Sequence, residues 1–150
     1  MIKQNPKPNP NHIFIDTNII IGAYLSNNKE DNDCLDYLFK IGNRGVTLFI
    51  SSLSLAQFIS MSQKKKALER SALKSKIDYL SKKCTIIDFL HTDIPKAFDY
   101  NNEDIEDNIQ YVIGIKRRCQ YFITNNKKDY SVFNIFAVNS KECRRKILKY

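Results

Sequence analysis

Three aspartates far apart in the chain, Asp16, Asp107 and Asp129, are the residues whose type and placing best suit chemistry. Asp16 ends the short apolar run His12 to Asp16 (HIFID), Asp107 lies near the start of an apolar-periodic segment, and Asp129 closes the polar run that follows QYFIT. Carboxylates gathered from separate segments form an oxygen cage. Such a cage suits a hard cation such as Mg²⁺, which takes one or two carboxylates together with waters and substrate phosphate. The reaction open to such a site is hydrolysis of a phosphodiester, whose developing charge a cation stabilises during in-line displacement. Asp104, one helical turn before Asp107 and on the same side, is a further candidate ligand. Each acid also has a structural use. Asp16 can cap the helix after it, Asp107 can answer a helix dipole, and Asp129 can form an Asx-turn.

Other chemistries have little to work with. The chain has two histidines, His12 and His91, neither beside a plausible nucleophile, and contains no Gly-rich phosphate loop, GxSxG or HExxH. Its four cysteines, Cys34, Cys84, Cys119 and Cys143, form no CxxC pair. They are expected as buried free thiols in a reducing compartment.

The elements that must position the acids follow from apolar periodicity. Ile105, Ile109, Val112 and Ile113 recur at helical spacing and make a core-facing stripe on a helix ending near Lys116 to Cys119. Strands are expected at His12 to Asp16, Val46 to Ile50, Thr85 to Phe89, Gln120 to Thr124 and Ile135 to Val138. Helical segments separate them. One runs from Asp33 to Ile41 with Cys34, Leu35, Leu38 and Phe39 inward; another is capped by Ser51 or Ser52 with Leu55, Ala56 and Ile59 inward. Further helices cover Leu73 to Leu80 and Thr92 to Tyr100, and Asn139 or Ser140 caps a last, basic one. Strands alternating with helices and no hairpin signals give a parallel α/β sheet of about five strands with helices on both faces. In such a sheet ligands bind beyond the carboxyl ends of the strands at the switch point, where Asp16 would sit.

At 150 residues the chain is one domain long, residues 12–150, preceded by an expected flexible tail at 1–11 that contains Pro6, Pro8 and Pro10. No apolar run approaches a membrane span and the N-terminus lacks a signal pattern, so the cytoplasm is the expected location. The net charge is +8, with basic clusters at Lys64 to Lys66, Lys116 to Arg118, Lys127 with Lys128, and Arg144 to Lys146. That excess favours a polyanionic partner through counterion release. Lys116, Arg117 and Arg118 end the Asp107 helix and Lys127 and Lys128 precede Asp129, so these five are candidate RNA-phosphate contacts. Tyr111, Tyr121 and Tyr130 are expected to serve packing.

IFIDTNIIIGAYL, ISSLSLAQF, EDIEDNIQYVIGIKRRCQYFITNNKKDY and FNIFAVNSKEC, taken together and in order, resemble a PIN domain, the small nuclease fold of VapC-type toxins. The resemblance spans Ile13 to about Arg145. It implies a three-layer α/β/α fold, a Mg²⁺ or Mn²⁺ site and endonucleolytic cleavage of single-stranded RNA. It also implies a cognate antitoxin protein as partner, with a homodimer as a further association. Asp16, Asp107 and Asp129 match its acids, and Asn18, Thr124 and Asn126 its supporting polar residues. The family usually carries a glutamate in the helix after the second strand, where this chain has Gln57. A glutamine keeps a carbonyl oxygen but no charge. Two readings follow: a nuclease with a weakened site, or a catalytically impaired module that binds RNA or protein. A phosphotransfer reading with Asp16 as nucleophile fails on Asn18, which stands where a second acid is needed.

Overall fold

The computed structural model describes residues 7–147. Residues 1–6 of the expected tail, and 148–150, lie outside the described residues. Among the described residues the chain runs β1 (Asn9–Ile15), α1 (Thr17–Tyr24), α2 (Lys29–Ile41), β2 (Thr47–Ser51), α3 (Ser52–Lys65), α4 (Arg70–Lys83) and β3 (Thr85–Ile87). It continues through α5 (Asp93–Ala97), α6 (Ile105–Ile115), β4 (Cys119–Ile123), α7 (Lys127–Tyr130), β5 (Phe136–Val138) and α8 (Cys143–Lys146).

All four strand pairings are parallel, in the order β3-β2-β1-β4-β5. β1 is central because both of its faces are apolar: Ile13, Phe14 and Ile15 are all fully buried. Its alternating side chains divide the core. Ile13 and Ile15 join Ile20, Leu35, Leu38 and Phe58 on one side, while Phe14 joins Phe49, Phe122, Ile113 and Tyr130 on the other. The result is a three-layer α/β/α domain, as the alternating pattern implies. The chain fills the sheet in one direction from β1 to β3 and in the other from β4 to β5. The switch point therefore lies between β1 and β4, whose last residues Ile15 and Ile123 are paired.

Helix α6 lies close on this sheet, and Gly114 makes that approach possible. A Cβ there would stand 2.4 Å from Phe122 Cζ and 3.2 Å from Phe14 Cδ2. The four cysteines are buried and free, as expected. Burial raises the Cys84 thiol to about 12, and Cys34 is raised by its hydrogen bond with Cys143 and by burial.

Several boundaries and faces differ from the sequence expectation. β1 begins at Asn9, inside the expected tail, because the Asn9 amide donates to Arg118 O at 2.7 Å. On α3 the inward residues are Ser54, Phe58 and Ser62, and Ala56 and Ile59 face solvent. The apolar reading failed there because two serines are buried, Ser54 in the polar network described below. The polar run before Asp129 contains the short helix α7 rather than an open turn. Neither Asn139 nor Ser140 caps the last helix, whose N-cap is Glu142; Asn139 instead closes the turn before it, accepting from the Glu142 amide at 3.0 Å while Glu142 Oε1 accepts from the Asn139 amide at 3.1 Å.

Candidate active site

Asp16 follows β1 and is the N-cap of α1, so the structural and chemical uses open to it in the sequence coincide. Its carboxylate is held on both oxygens. Oδ1 accepts from the Thr17 amide at 2.7 Å, and Oδ2 accepts from Thr124 Oγ1 at 2.8 Å and Asn18 Nδ2 at 3.0 Å. Thr124 is placed by β4, one residue past the strand, and its hydroxyl also accepts from the Asn126 amide at 3.0 Å. Asn18 Oδ1 accepts from the Asn125 amide at 3.2 Å. The two strand ends on either side of the switch point are thus tied together by the three polar residues expected to support the site.

Helix α6 brings the other acids. Asp104 is its N-cap and accepts from the Asp107 amide at 3.0 Å, which fixes the first turn. Asp104, Asp107 and Asp129 each offer a carboxylate oxygen, and these three oxygens lie within 4.8 Å of one another. Asp16 stands outside that group and faces the same cleft, a space of about 320 Å³ lined also by Asp104, Asp107, Gln57 and Asn126. Asp104, a subsidiary ligand in the sequence reading, is therefore a full member of the convergent set.

Burial dominates the electrostatics. It lifts the Asp16 carboxyl to about 6, against the hydrogen bonds from Thr124 and the Thr17 amide and with the charges of Asp104 and Glu106 adding. Asp107 rises to about 8, through burial first and then the charges of Asp16, Asp104 and Asp129, against a hydrogen bond with Asn126. Asp107 is 6% exposed, and its Oδ2 is buried with no hydrogen-bond partner. A buried, unanswered oxygen that feels the charges of three neighbouring acids calls for a cation or a proton.

Gln57 sits beside this cluster within a polar network. Its Oε1 accepts from Thr17 Oγ1 at 2.6 Å and is 3.4 Å from Gln110 Nε2. Gln110 also donates to Ser54 Oγ at 3.0 Å and Thr17 Oγ1 at 3.1 Å, while its Oε1 accepts from Ser51 Oγ at 2.8 Å. Sequence reasoning missed Gln110. The available signal was its spacing, i+3 from Asp107 and i+6 from Asp104 on an otherwise apolar helix face.

The basic residues divide into two groups. Lys127 pairs with Glu142 at 2.5 Å and Lys128 is exposed, both on α7 beside Asp129. Burial acts to raise Glu142, but hydrogen bonds from Lys127, the Asn139 amide and Lys146 outweigh it and hold the carboxyl at about 2. Lys116, Arg117 and Arg118 lie at the other end of α6, about 14 Å along its axis from Asp107. They precede β4 and so sit at the amino edge of the sheet, where Lys116 is committed to Asp93 at 2.6 Å. They stand apart from the acids, so they are not brought to the phosphate at the cleft. The direction of α6 along the sheet decides which end meets the cleft. Lys64, in the sequence one of a basic cluster with no assigned place at the site, lines the cleft.

A parallel α/β/α domain with an acidic cleft at the carboxyl edge of its sheet is the class these observations define. Residues 12–128 match the family described as PIN domain. Ribonuclease VapC1 of Aquifex aeolicus (strain VF5) is 30% identical over 133 residues, covering 82% of this chain and 87% of that protein. The chain belongs to the PIN-domain family, in its VapC type. Similar folds occur in VapBC2 from Rickettsia felis bound to a DNA fragment from their promoter, with TM-score 0.62 at 21% identity over 85% of this chain and 98% of that one. FitAB bound to an IR36 DNA fragment gives TM-score 0.62 at 15% identity, over 85% of this chain and 94% of that one. A toxin–antitoxin complex from Klebsiella pneumoniae gives 0.56 at 18% identity, over 79% and 90%.

Proposed function

We propose that this chain is a Mg²⁺- or Mn²⁺-dependent endoribonuclease that hydrolyses phosphodiester bonds in single-stranded RNA, acting in the cytoplasm as the toxin of a toxin–antitoxin pair. The observation that carries this reading is the buried, unpartnered Oδ2 of Asp107 among the converging oxygens of Asp104 and Asp129. The donor set is all oxygen, which fits a hard divalent cation. Asp104, Asp107 and Asp129 would hold the ion, with Asp16 on the wall of the same cleft. Bound there, the cation supplies Lewis-acid stabilisation of charge building on the phosphate and makes water a competent nucleophile near neutral pH.

The side chains have separable parts in this scheme. Asp16, its carboxyl at about 6, is ionised at neutral pH and fixed by three donors, so its charge faces the cleft without reorganisation. Asp107, at about 8, keeps its proton at neutral pH until a cation displaces it. Gln57 positions Thr17 and adds no charge.

Ribonuclease VapC1 supports the activity, and the toxin–antitoxin complex of like fold supports a neutralising protein partner. A second copy of the chain is the other partner expected from the family. No helix among the described residues is long and apolar enough to cross a membrane.

The test is cleavage of a fluorescent single-stranded RNA with Mg²⁺, Mn²⁺ or chelator, by the parent chain and its Asp16→Asn, Asp107→Asn and Gln57→Glu variants. Metal-dependent cleavage that either Asp→Asn change lowers by about 100-fold or more and Gln57→Glu increases bears the reading out. The engagement of Gln57 by Thr17 favours the second reading if the parent is silent and Gln57→Glu alone cuts. The domain is then a binding module that has lost its chemistry.

A further inference from the structure

We propose that the RNA strand leaves the acidic cleft across α3, with Lys64 as its first phosphate contact and the basic α3–α4 hairpin as its track. This rests on the single-stranded RNA reading above and names the residues that would carry the strand.

The first observation is geometric. Gln57, Ser60, Met61 and Lys64 recur at i, i+3, i+4 and i+7 on α3, and all four line the cleft that holds Asp16, Asp104 and Asp107. One helix face therefore forms a continuous wall from the acids to an ammonium group. Seven residues of helix place Lys64 about 10 Å along that wall from Gln57. Lys64 is exposed, and among the described residues no ion pair engages it.

The second observation is the charge. Residues 52–83 carry eight Lys and Arg against two acids, Glu69 and Asp78, so this hairpin holds +6 of the chain's net +8. Lys74 is paired with Asp78 at 2.8 Å. Lys64, Lys65, Lys66 and Arg70 are exposed at the end of α3 and the start of α4, where Lys66 takes a left-handed conformation (φ 50°) that folds the chain back. A basic stripe continuous with an acidic catalytic cleft is the footprint of a polyanion whose scissile phosphate sits at the acids.

The third observation is the state of the rival cations. Lys116 is committed to Asp93 and Lys127 to Glu142, and Arg117 and Arg118 lie at the opposite edge of the sheet, which leaves Lys128, exposed beside Asp129, as a second phosphate contact next to the acids and outside the α3 wall.

Binding of a fluorescent single-stranded RNA to the full chain carrying Asp107→Asn, in chelator and across a salt series, tests this; Asp16→Asn provides a second silent background. Lys64→Ala is expected to weaken binding several-fold, and replacing Lys64, Lys65 and Lys66 together is expected to flatten the log–log salt dependence by about 2, at roughly 0.7 per phosphate contact. Arg117→Ala with Arg118→Ala should leave both unchanged. RNA bound with full affinity by the lysine variants overturns the track while leaving the nuclease reading standing. No RNA bound by either background overturns both. A Lys64→Ala variant that binds RNA normally but Mn²⁺ more tightly assigns Lys64 to charge compensation and also overturns the track. Poly-L-glutamate bound more tightly than the RNA would assign the hairpin to an acidic protein partner instead.

Discussion

The hydroxyl of Thr17 lies 2.6 Å from the side-chain carbonyl of Gln57, which turns that oxygen toward α1 and into the network with Gln110. Both neighbours are donors, so they can serve a carboxylate as well as an amide. Gln57→Glu is therefore expected to fold normally while adding a charge beside the acid cluster. A unit charge near a cation at an effective dielectric of about 20 is worth a few kcal/mol, so Mn²⁺ should bind about tenfold more tightly or better. Isothermal calorimetry on parent and variant checks this, and equal affinities would show that the residue lies too far from the ion to matter.

Asp107→Asn should separate stability from activity. It removes a buried carboxyl that the fold disfavours in its charged form. Metal-free protein should melt at a higher temperature than the parent at pH 8, with the difference shrinking at pH 5. RNA cleavage should fall about 100-fold, since several kcal/mol of charge stabilisation depend on the ion it would hold. A variant less stable than the parent at pH 8 would mean that Asp107 is already answered within the fold.

The pH dependence of the metal-free chain follows from the same pair. Burial holds protons on Asp16 to about 6 and on Asp107 to about 8, whereas the unfolded chain releases them near 3.8. The native state thus binds more protons across that interval. The stability from these groups is complete below about pH 4 and is lost as pH rises through about 6 and then about 8. Thermal melts in chelator should decline over this window, and saturating Mn²⁺ should reverse the decline. Calorimetry in buffers of different ionisation enthalpy should show proton release on Mn²⁺ binding at pH 7.

Gly114→Ala tests the seating of α6. The added methyl meets the Phe122 ring at 2.4 Å and that of Phe14 at 3.2 Å, and both rings are fully buried. Forcing the helix outward should cost about 1–3 kcal/mol in urea unfolding and carry Asp104 and Asp107 with it, so cleavage should fall by more than the stability loss explains.

Asn125 is a junction. Its Nδ2 donates to Asp31 Oδ1 at 2.9 Å, its Oδ1 accepts from the Ser140 amide and hydroxyl at 3.2 Å, and its amide donates to Asn18. Asn125→Ala should cost about 1–2 kcal/mol. The amide that braces Asn18 survives the substitution, and Thr124 is held by the Asn126 amide, so kcat and KM should both change little. A change in KM alone would place Asn125 against substrate instead.

The parallel sheet and its acids were legible because the apolar runs are short, bounded and each followed by polar residues. HIFID ends in Asp16 and so puts that acid at a strand's carboxyl end, while the pairing of its strand with QYFIT, which locates the switch point, is a tertiary fact. The reading failed where polarity and burial part company. Ser54 and Ser62 of α3 are buried while Ala56 and Ile59 are not, and no period of apolar residues could reveal this. Lys116 to Arg118 looked close to Asp107 in sequence, yet a helix separates its two ends by its length. Lys64 lay hidden because its nearness to Asp16 depends on α3 crossing α1, a tertiary fact.

The bond from Thr124 to Asp16 spans 108 residues, and it joins strands at the middle of the sheet. During synthesis the first acid emerges early and waits, unbraced, for β4 and α7. At about 5–20 residues per second that wait is several seconds or more. A nascent chain whose β4 and α7 have not yet emerged has no assembled cleft, because Asp16 lacks Thr124 and the convergent acids lack Asp129.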